Sequence, residues 1–369
     1  MWRITKGDKL MPIPFLLGGA AVVAGIAGIV KGGQAISNND KAKELIEDAE
    51  YKYDKAKSKM EEQRNTTTFQ LETLGELKLT SWSEDIGTFV KLFSEFKKVE
   101  LTGKVHTDAL LKGSIQKVGE LKQMEIAAVK ATEVIQTGIS SLGAGALAGV
   151  ASYGGAMMFA SASTGTAIAS LSGAAATNAT LAWFGGGSLA AGGMGMAGGT
   201  LVLGGIVAGP ALAVAGFIMA AKSEENLAQA KKVYAEAEHA AEQMNTITSF
   251  MENVEEIARA YEEFIESFRK SYIPVLQAIE QIKNTSKEQQ SKLFLNKVRK
   301  FLGIKIKVDF TLLTEQEQQV LHMGWLMTQV LHGTLSAPLL TKEGEIDQQA
   351  LSMLESAEES TTKLLELGA

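Results

Sequence analysis

The chain has 369 residues, with 36 Lys and Arg against 42 Asp and Glu, for a net charge of −6. That length allows a sizeable core and two or three domains, while the acidic balance and the lack of any Lys/Arg-rich run argue against a nucleic-acid partner. There is no cysteine, so disulfides, a thiol nucleophile and cysteine-ligated metals are excluded, and the redox compartment stays open.

Residues 1–36 carry an uncharged run, Leu10–Val30, behind Arg3, Lys6 and Lys9 and ahead of Lys31. Basic start and apolar middle fit a cleaved signal, a membrane anchor or an interfacial helix. A hairpin buried in the bundle is the remaining reading. Gly33–Ala35 passes as a cleavage site, although Lys31 and the glycine content weaken it, and no Cys follows for a lipoprotein anchor. Met11 is an alternative start that would remove the basic residues.

Residues 37–133 form a front helical arm. Ser37–Asp40 is a helix-start signal. Ala42, Ile46, Ala49, Tyr53, Ala56 and Met60 recur at steps of four and three, a heptad seam. Asn65–Thr68 (NTTT) weakens the pattern and predicts a kink. Apolar spacing resumes through Phe69, Leu71, Leu74, Leu77 and Leu79. An amphipathic stretch over 84–101 follows, with Ile86, Phe89, Val90, Phe93, Phe96 and Val99. Thr102-Gly103 breaks it ahead of a helix over about 105–137.

From Val134 to Ala221 there is no Asp, Glu, Lys, Arg or His: 88 residues that hold 20 of the 37 glycines. A water-facing loop of that length would carry charge, so the tract is sealed in protein or destined for lipid. Three sub-segments approach the length of a span: 139–160, 165–184 and 196–221. Within the last, Leu201, Val202, Leu203, Ile206, Val207, Leu212, Val214, Phe217 and Ile218 favour insertion by about 3–5 kcal/mol before Gly and Pro210 subtract. Segment 165–184 has Ile168, Leu171, Leu181 and Phe184, about 1–2 kcal/mol. Only 196–221 inserts unaided. The others are marginal, as expected of a segment tolerated both in a soluble fold and in lipid. Trp183 and Phe184 lie where an interfacial anchor belongs. Small residues four apart, at Gly187, Ala191, Gly195 and Gly199, at Gly145 and Gly149, at Gly205 and Gly209, and at Gly28 and Gly32, suit close helix packing.

Residues 222–302 form a rear helical arm. One 3.5-residue register runs through Ala230, Tyr234, Ala237, Ala241, Met244, Thr248, Met251, Glu255, Ala258, Tyr261, Ile265, Phe268 and Tyr272. Unbroken, 222–272 is a rod of about 75 Å. Pro274 kinks or stops it, and helical pattern returns to about 301. Residues 303–369 read as a small appendage packed on the bundle. Ile304, Ile306, Val308 and Phe310 alternate as a strand, Thr314–Glu317 is a capping box opening a helix to about 333, and a final helix covers about 346–366.

The expected fold is therefore all-α. It is an elongated antiparallel bundle of two arms with a Gly/Ala-rich apolar helical head and a small C-terminal α(+β) appendage.

The motif census yields no chemistry. Gly193–Gly198 matches G-x-G-x-x-G without the strand and acidic residue that a dinucleotide site needs. Gly103-Lys104 lacks the rest of a phosphate-binding loop. His106, His239, His322 and His332 form no ligand pair. Glu252, Glu255, Glu256, Glu262 and Glu263 read as a solvated stripe, and Trp82 and Trp325 as core. No catalytic residue, metal, cofactor or small-molecule substrate is expected, and the chain is not read as an enzyme.

The charge-free Val134–Ala221 between the seams Ala42–Met60 and Ala230–Tyr272 resembles the plan of the cytolysin A type of α-helical pore-forming toxins, over roughly residues 37–300. In that family two long helices of a soluble bundle flank an apolar head that swings out and inserts on oligomerisation. The tract here is longer and richer in glycine, and Leu10–Val30 and the C-terminal appendage are additions. The resemblance implies a pore-forming or membrane-permeabilising protein, with the lipid membrane and further copies of itself as partners. It would be membrane-associated, with a soluble resting form. The alternative is a non-lytic, membrane-anchored or membrane-remodelling coiled-coil protein.

Overall fold

The computed structural model describes residues 35–99, 119–136, 144–153, 227–292, 305, 307–341 and 345–368. Helix α1 spans Ala35–Thr80, a π-helical stretch Ser81–Ile86, and α2 Gly87–Phe93. Strand β1, Phe96–Lys97, follows, then α3 (Gly119–Gln136) and α4 (Ala144–Tyr153). The long helix α5 covers Leu227–Ser291, with β2 at Val308–Asp309, α6 at Glu315–Ser336 and α7 at Gln348–Gly368. The class is all-α, with long helices.

The seam residues make the arm. Ala42, Ile46, Ala49, Tyr53, Ala56 and Met60 are buried against Ala230, Val233, Ala237, Ala240, Ala241 and Met244. Alanine recurs because it lets the two backbones come close, as in a coiled-coil interface. Charged side chains bridge the flanks: Lys52 to Glu238 at 3.6 Å and Lys59 to Glu252 at 3.2 Å. Further along, Gln63 donates to Glu255 at 2.6 Å, Gln70 donates to Glu262, and Arg269 meets Glu84 and Asp85. Partner numbers rise together, so α1 and α5 run parallel.

This corrects the expected antiparallel pairing of the two arms. A heptad seam of small residues is blind to direction, and the long connection between the arms permits either. The two-stranded sheet agrees, since Phe96 pairs with Val308 and Lys97 with Asp309 in parallel. Antiparallel packing is found elsewhere in the bundle. On α3, Thr132 bonds Ser83 at 2.7 Å, and a Cβ at Gly87 would lie 3.6 Å from Ala128. On α6, Thr328 meets Tyr272, while Gly324 faces Ile279.

At three places where the sequence predicts a start, a kink or a stop, the helices run on. The helix already runs at Ala35, so Ser37–Asp40 lies within it rather than ahead of it. α1 also runs on through Asn65–Thr68, where a kink is expected. Thr66 bonds back to the Glu62 carbonyl, while buried Thr67 donates across the seam to the Met251 carbonyl at 3.1 Å. Buried Thr67 thus sets a polar contact between the arm cluster and the main core. Pro274 lies inside α5 without ending it. Of the apolar set after the threonines, Leu71, Leu74 and Leu79 are buried, but Phe69 is 68 % exposed.

The main core joins the far halves of α1 and α5 to α2, α3, α4, α6 and α7, including Trp82, Phe89, Phe268, Tyr272 and Trp325. The C-terminal helices thus complete this core. The capping box at α6 is formed, with Thr314 Oγ1 accepting from the Glu317 N–H and Glu317 accepting from the Thr314 N–H.

Candidate functional site

Part of the charge-free tract lies in the core. Leu147, Ala148, Gly149, Val150, Ala151 and Ser152 of α4 are all buried. An uncharged helix of small residues has no polar face to give to water, so it needs cover on every side.

α1 supplies one side of that cover. Leu71, Leu74, Gly75, Lys78, Leu79 and Trp82 follow steps of three and four and are buried. Gly75 is where the backbones meet: an added Cβ would lie 2.0 Å from the Leu147 carbonyl oxygen. The small residue that matters most for this contact is therefore on the arm. Gly145 and Gly149 both lie on α4, and Gly149 is buried.

One turn beyond Gly75, Lys78 crosses the core with 0 % exposure. Its Nζ donates to the carbonyls of Ala151 and Ala337, each at 3.1 Å, and lies 5.2 Å from the Tyr261 ring centroid. Ala151 lies in the last described turn of α4. The next carbonyl, Ser152, accepts from the Leu339 N–H at 2.6 Å and the Leu340 N–H at 3.0 Å. The end of α4 is thus capped by an α1 side chain and by the α6–α7 connection. Among the described residues no carboxylate lies within ion-pair distance of Lys78. Burial lowers its pKa from 10.5 to about 7.

The π-helical stretch begins three residues later. It buries Ser81, Trp82, Asp85 and Ile86 together. Such bulges often mark functional positions. Asp85 Oδ2 is 2.7 Å from Arg269 Nε, and Arg269 Nη2 donates to Oδ1 at 3.3 Å. Burial raises the Asp85 pKa, and the Arg269 charge and hydrogen bond oppose that rise. The His332 and Trp82 rings pack T-shaped with centroids 5.2 Å apart, and burial lowers the His332 pKa. Tyr261 donates to the Ala350 carbonyl at 2.8 Å, and burial raises its pKa. The contacts of this cluster tie α4, α5, α6 and α7 to α1.

The other sequence-derived site residues lie outside the described residues: Trp183, Phe184, Leu201, Val202, Leu203, Ile206, Val207, Leu212, Val214, Phe217 and Ile218, and of the small-residue series Gly187, Ala191, Gly195, Gly199, Gly205 and Gly209. So do His106 and the Leu10–Val30 run. Among the described residues no helix is long and apolar enough to cross a membrane, and no cluster of His, Asp and Glu could hold a metal. The glutamate stripe is partly used in structure, since Glu252, Glu255 and Glu262 bond across to α1. Sequence reasoning missed Lys78 and Gly75. The available signal was a lysine at an apolar position, four residues after Leu74 and four before Trp82.

The fold and this cluster define a helical bundle that buries the first described helix of a charge-free tract. Comparisons of the chain with protein-family models, curated proteins and solved structures found no match.

Proposed function

We propose that the protein inserts into membranes, permeabilising them, and that Val134–Ala221 is the inserting element, sheathed at rest and deployed as copies assemble. The observation that carries this reading is the 88-residue absence of charge, together with the burial of its first described helix in a core that leaves α4 no polar face. Lipid is the other environment that suits such a helix.

The parallel arms support it further. Leu227 and Ala42 belong to one cluster at the beginning of both long helices. The two most apolar stretches of the sequence, Leu10–Val30 and 196–221, lead into α1 and α5 respectively, and so are tethered to one end of the paired arm. The other described end of the tract, at α4, is docked beside Lys78. Along α1 that is about 50 Å away. A tract fixed at two distant points can give up one attachment while keeping the other.

The direct test is release of entrapped dye from liposomes by the purified full chain, with flotation alongside. Leakage with co-flotation supports the proposal. Flotation with sealed vesicles favours a non-lytic anchor or remodelling protein. Neither leakage nor flotation, in anionic and zwitterionic vesicles from acidic to alkaline pH, overturns membrane insertion.

A further inference from the structure

We propose that Lys78 is the catch of a proton-linked latch: its buried amine ties the C-terminal end of α4 to the α6–α7 connection, docking of α4 expels a proton from that amine, and undocking takes it back.

Three contacts converge on this end of α4. Gly75 lets the α1 backbone touch the Leu147 carbonyl. Lys78 Nζ joins the Ala151 carbonyl to the Ala337 carbonyl. The N–H groups of Leu339 and Leu340 hold the Ser152 carbonyl. These contacts connect the charge-free tract to the C-terminal segment. A neutral donor, such as a serine or an asparagine, would satisfy carbonyls without burying a titratable group. A lysine there makes the contact depend on protons.

Among the described residues the surroundings offer the amine no counter-charge. From α5 it faces the ring of Tyr261, which stays neutral because burial raises its pKa. On α6, His332 packs on Trp82 and is held towards its neutral form by burial. Further along α1 and α5, Asp85 and Arg269 are occupied with each other. At the start of α7, Asp347 acts on Tyr261. α4 itself carries no Asp, Glu, Lys, Arg or His, and Tyr153 is its one titratable residue. Hydration removed on docking is therefore not replaced by an ion pair, and the neutral amine is favoured.

The sign follows from linkage. With α4 docked the Lys78 pKa is about 7, against 10.5 for a hydrated lysine. Docking is strongest at high pH. It weakens as pH falls from about 10.5 to about 7, by up to tenfold per unit, and is flat below, where Lys78 is protonated in both states.

The inference concerns docking of α4 and is tested without lipid. Amide exchange of Ala148–Tyr153, corrected for intrinsic rates, is followed from pH 6 to pH 9 in the full chain. The protection of α4 should rise by roughly tenfold or more between pH 7 and pH 9 and change little between pH 6 and pH 6.5, while amides in the middle of α5 keep constant protection. The Lys78→Met variant should lose the slope. An α4 protection that ignores pH in the wild-type protein overturns the latch, whether or not the variant folds. So does a slope that survives in Lys78→Met, which would assign the proton to another group. The latch bears on deployment only if the membrane reading holds. PH-dependent exchange with intact, unbound liposomes would sink that reading and leave the latch standing.

Discussion

Replacing Gly75 by alanine adds one methyl at the closest approach of α1 and α4. The new Cβ would stand 2.0 Å from the Leu147 oxygen and 2.7 Å from its carbonyl carbon. Both are backbone atoms and cannot rotate away. A tolerable C···O contact requires α4 to retreat by at least about 1.3 Å. That shift strains the bonds from Lys78 and from Leu339 and Leu340. Overpacking of this kind costs about 1–3 kcal/mol. Full undocking would expose Leu147 and Val150, about 1.5–3 kcal/mol each. The same substitution favours α1 itself by about 1 kcal/mol, since alanine is the better helix former. Two opposite effects thus fall on two different helices. Segment-resolved amide exchange should show α4 protection falling by about five- to a hundredfold, with no loss over the first half of α1. Gly87→Ala is the matched control, because its Cβ would meet Ala128 at an ordinary 3.6 Å; it should be neutral or slightly stabilising. Unchanged α4 protection in Gly75→Ala, or equal losses in both variants, would refute the close-packed docking of α4.

Three further outcomes are expected. Arg269→Met leaves Asp85 buried without its partner and should cost about 2–3 kcal/mol in urea unfolding near pH 8, less than a wholly buried pair because Arg269 is 22 % exposed. Because burial already raises the Asp85 pKa and Arg269 lowers it, the variant's deficit should grow as pH rises from about 4 through the raised pKa and shrink on acidification; a pH-independent deficit would contradict this. Thr314→Ala removes the capping box of α6 and should lower unfolding stability by about 0.5–2 kcal/mol, measured by denaturant titration. Ala49→Leu overfills the arm seam and should cost about 1–3 kcal/mol, with protection lost over 42–60 and 230–244 and kept around Phe89 and Trp325, since the two clusters are separate.

Both seams were legible because burial against a single partner leaves a plain period. Ala42 to Met60 and most of Ala230 to Tyr272 are buried as their spacing implies. The capping box at Thr314 was legible because it is a local bond pattern. Direction was not, since a seam of alanines reads the same in parallel and antiparallel pairs. Here only the specific bridges, Lys59 to Glu252 and Gln63 to Glu255, distinguish them. Asn65–Thr68 read as a kink because its side chains are polar. In the fold the helix runs on, with Thr66 bonded to the Glu62 carbonyl and Thr67 to the Met251 carbonyl. Lys78 was hidden for a similar reason: a lysine is ordinarily exposed, and its burial depends on α4, α5 and α6 arriving together. The charge gap showed which segment needed cover, and the structure shows that α4 is covered by α1 and the C-terminal segment.

The measurement closest to the central claim uses the absence of cysteine. Single thiols are placed at Leu203→Cys and Val214→Cys in the charge-free tract and at Lys55→Cys on the arm, each carrying an environment-sensitive fluorophore, and liposomes are added. Membrane insertion predicts a blue shift and quenching by lipid-borne quenchers at 203 and 214, with neither at 55. Probes at 203 and 214 that show no lipid contact in any vesicle composition, at any pH at which the bundle stays folded, would contradict it.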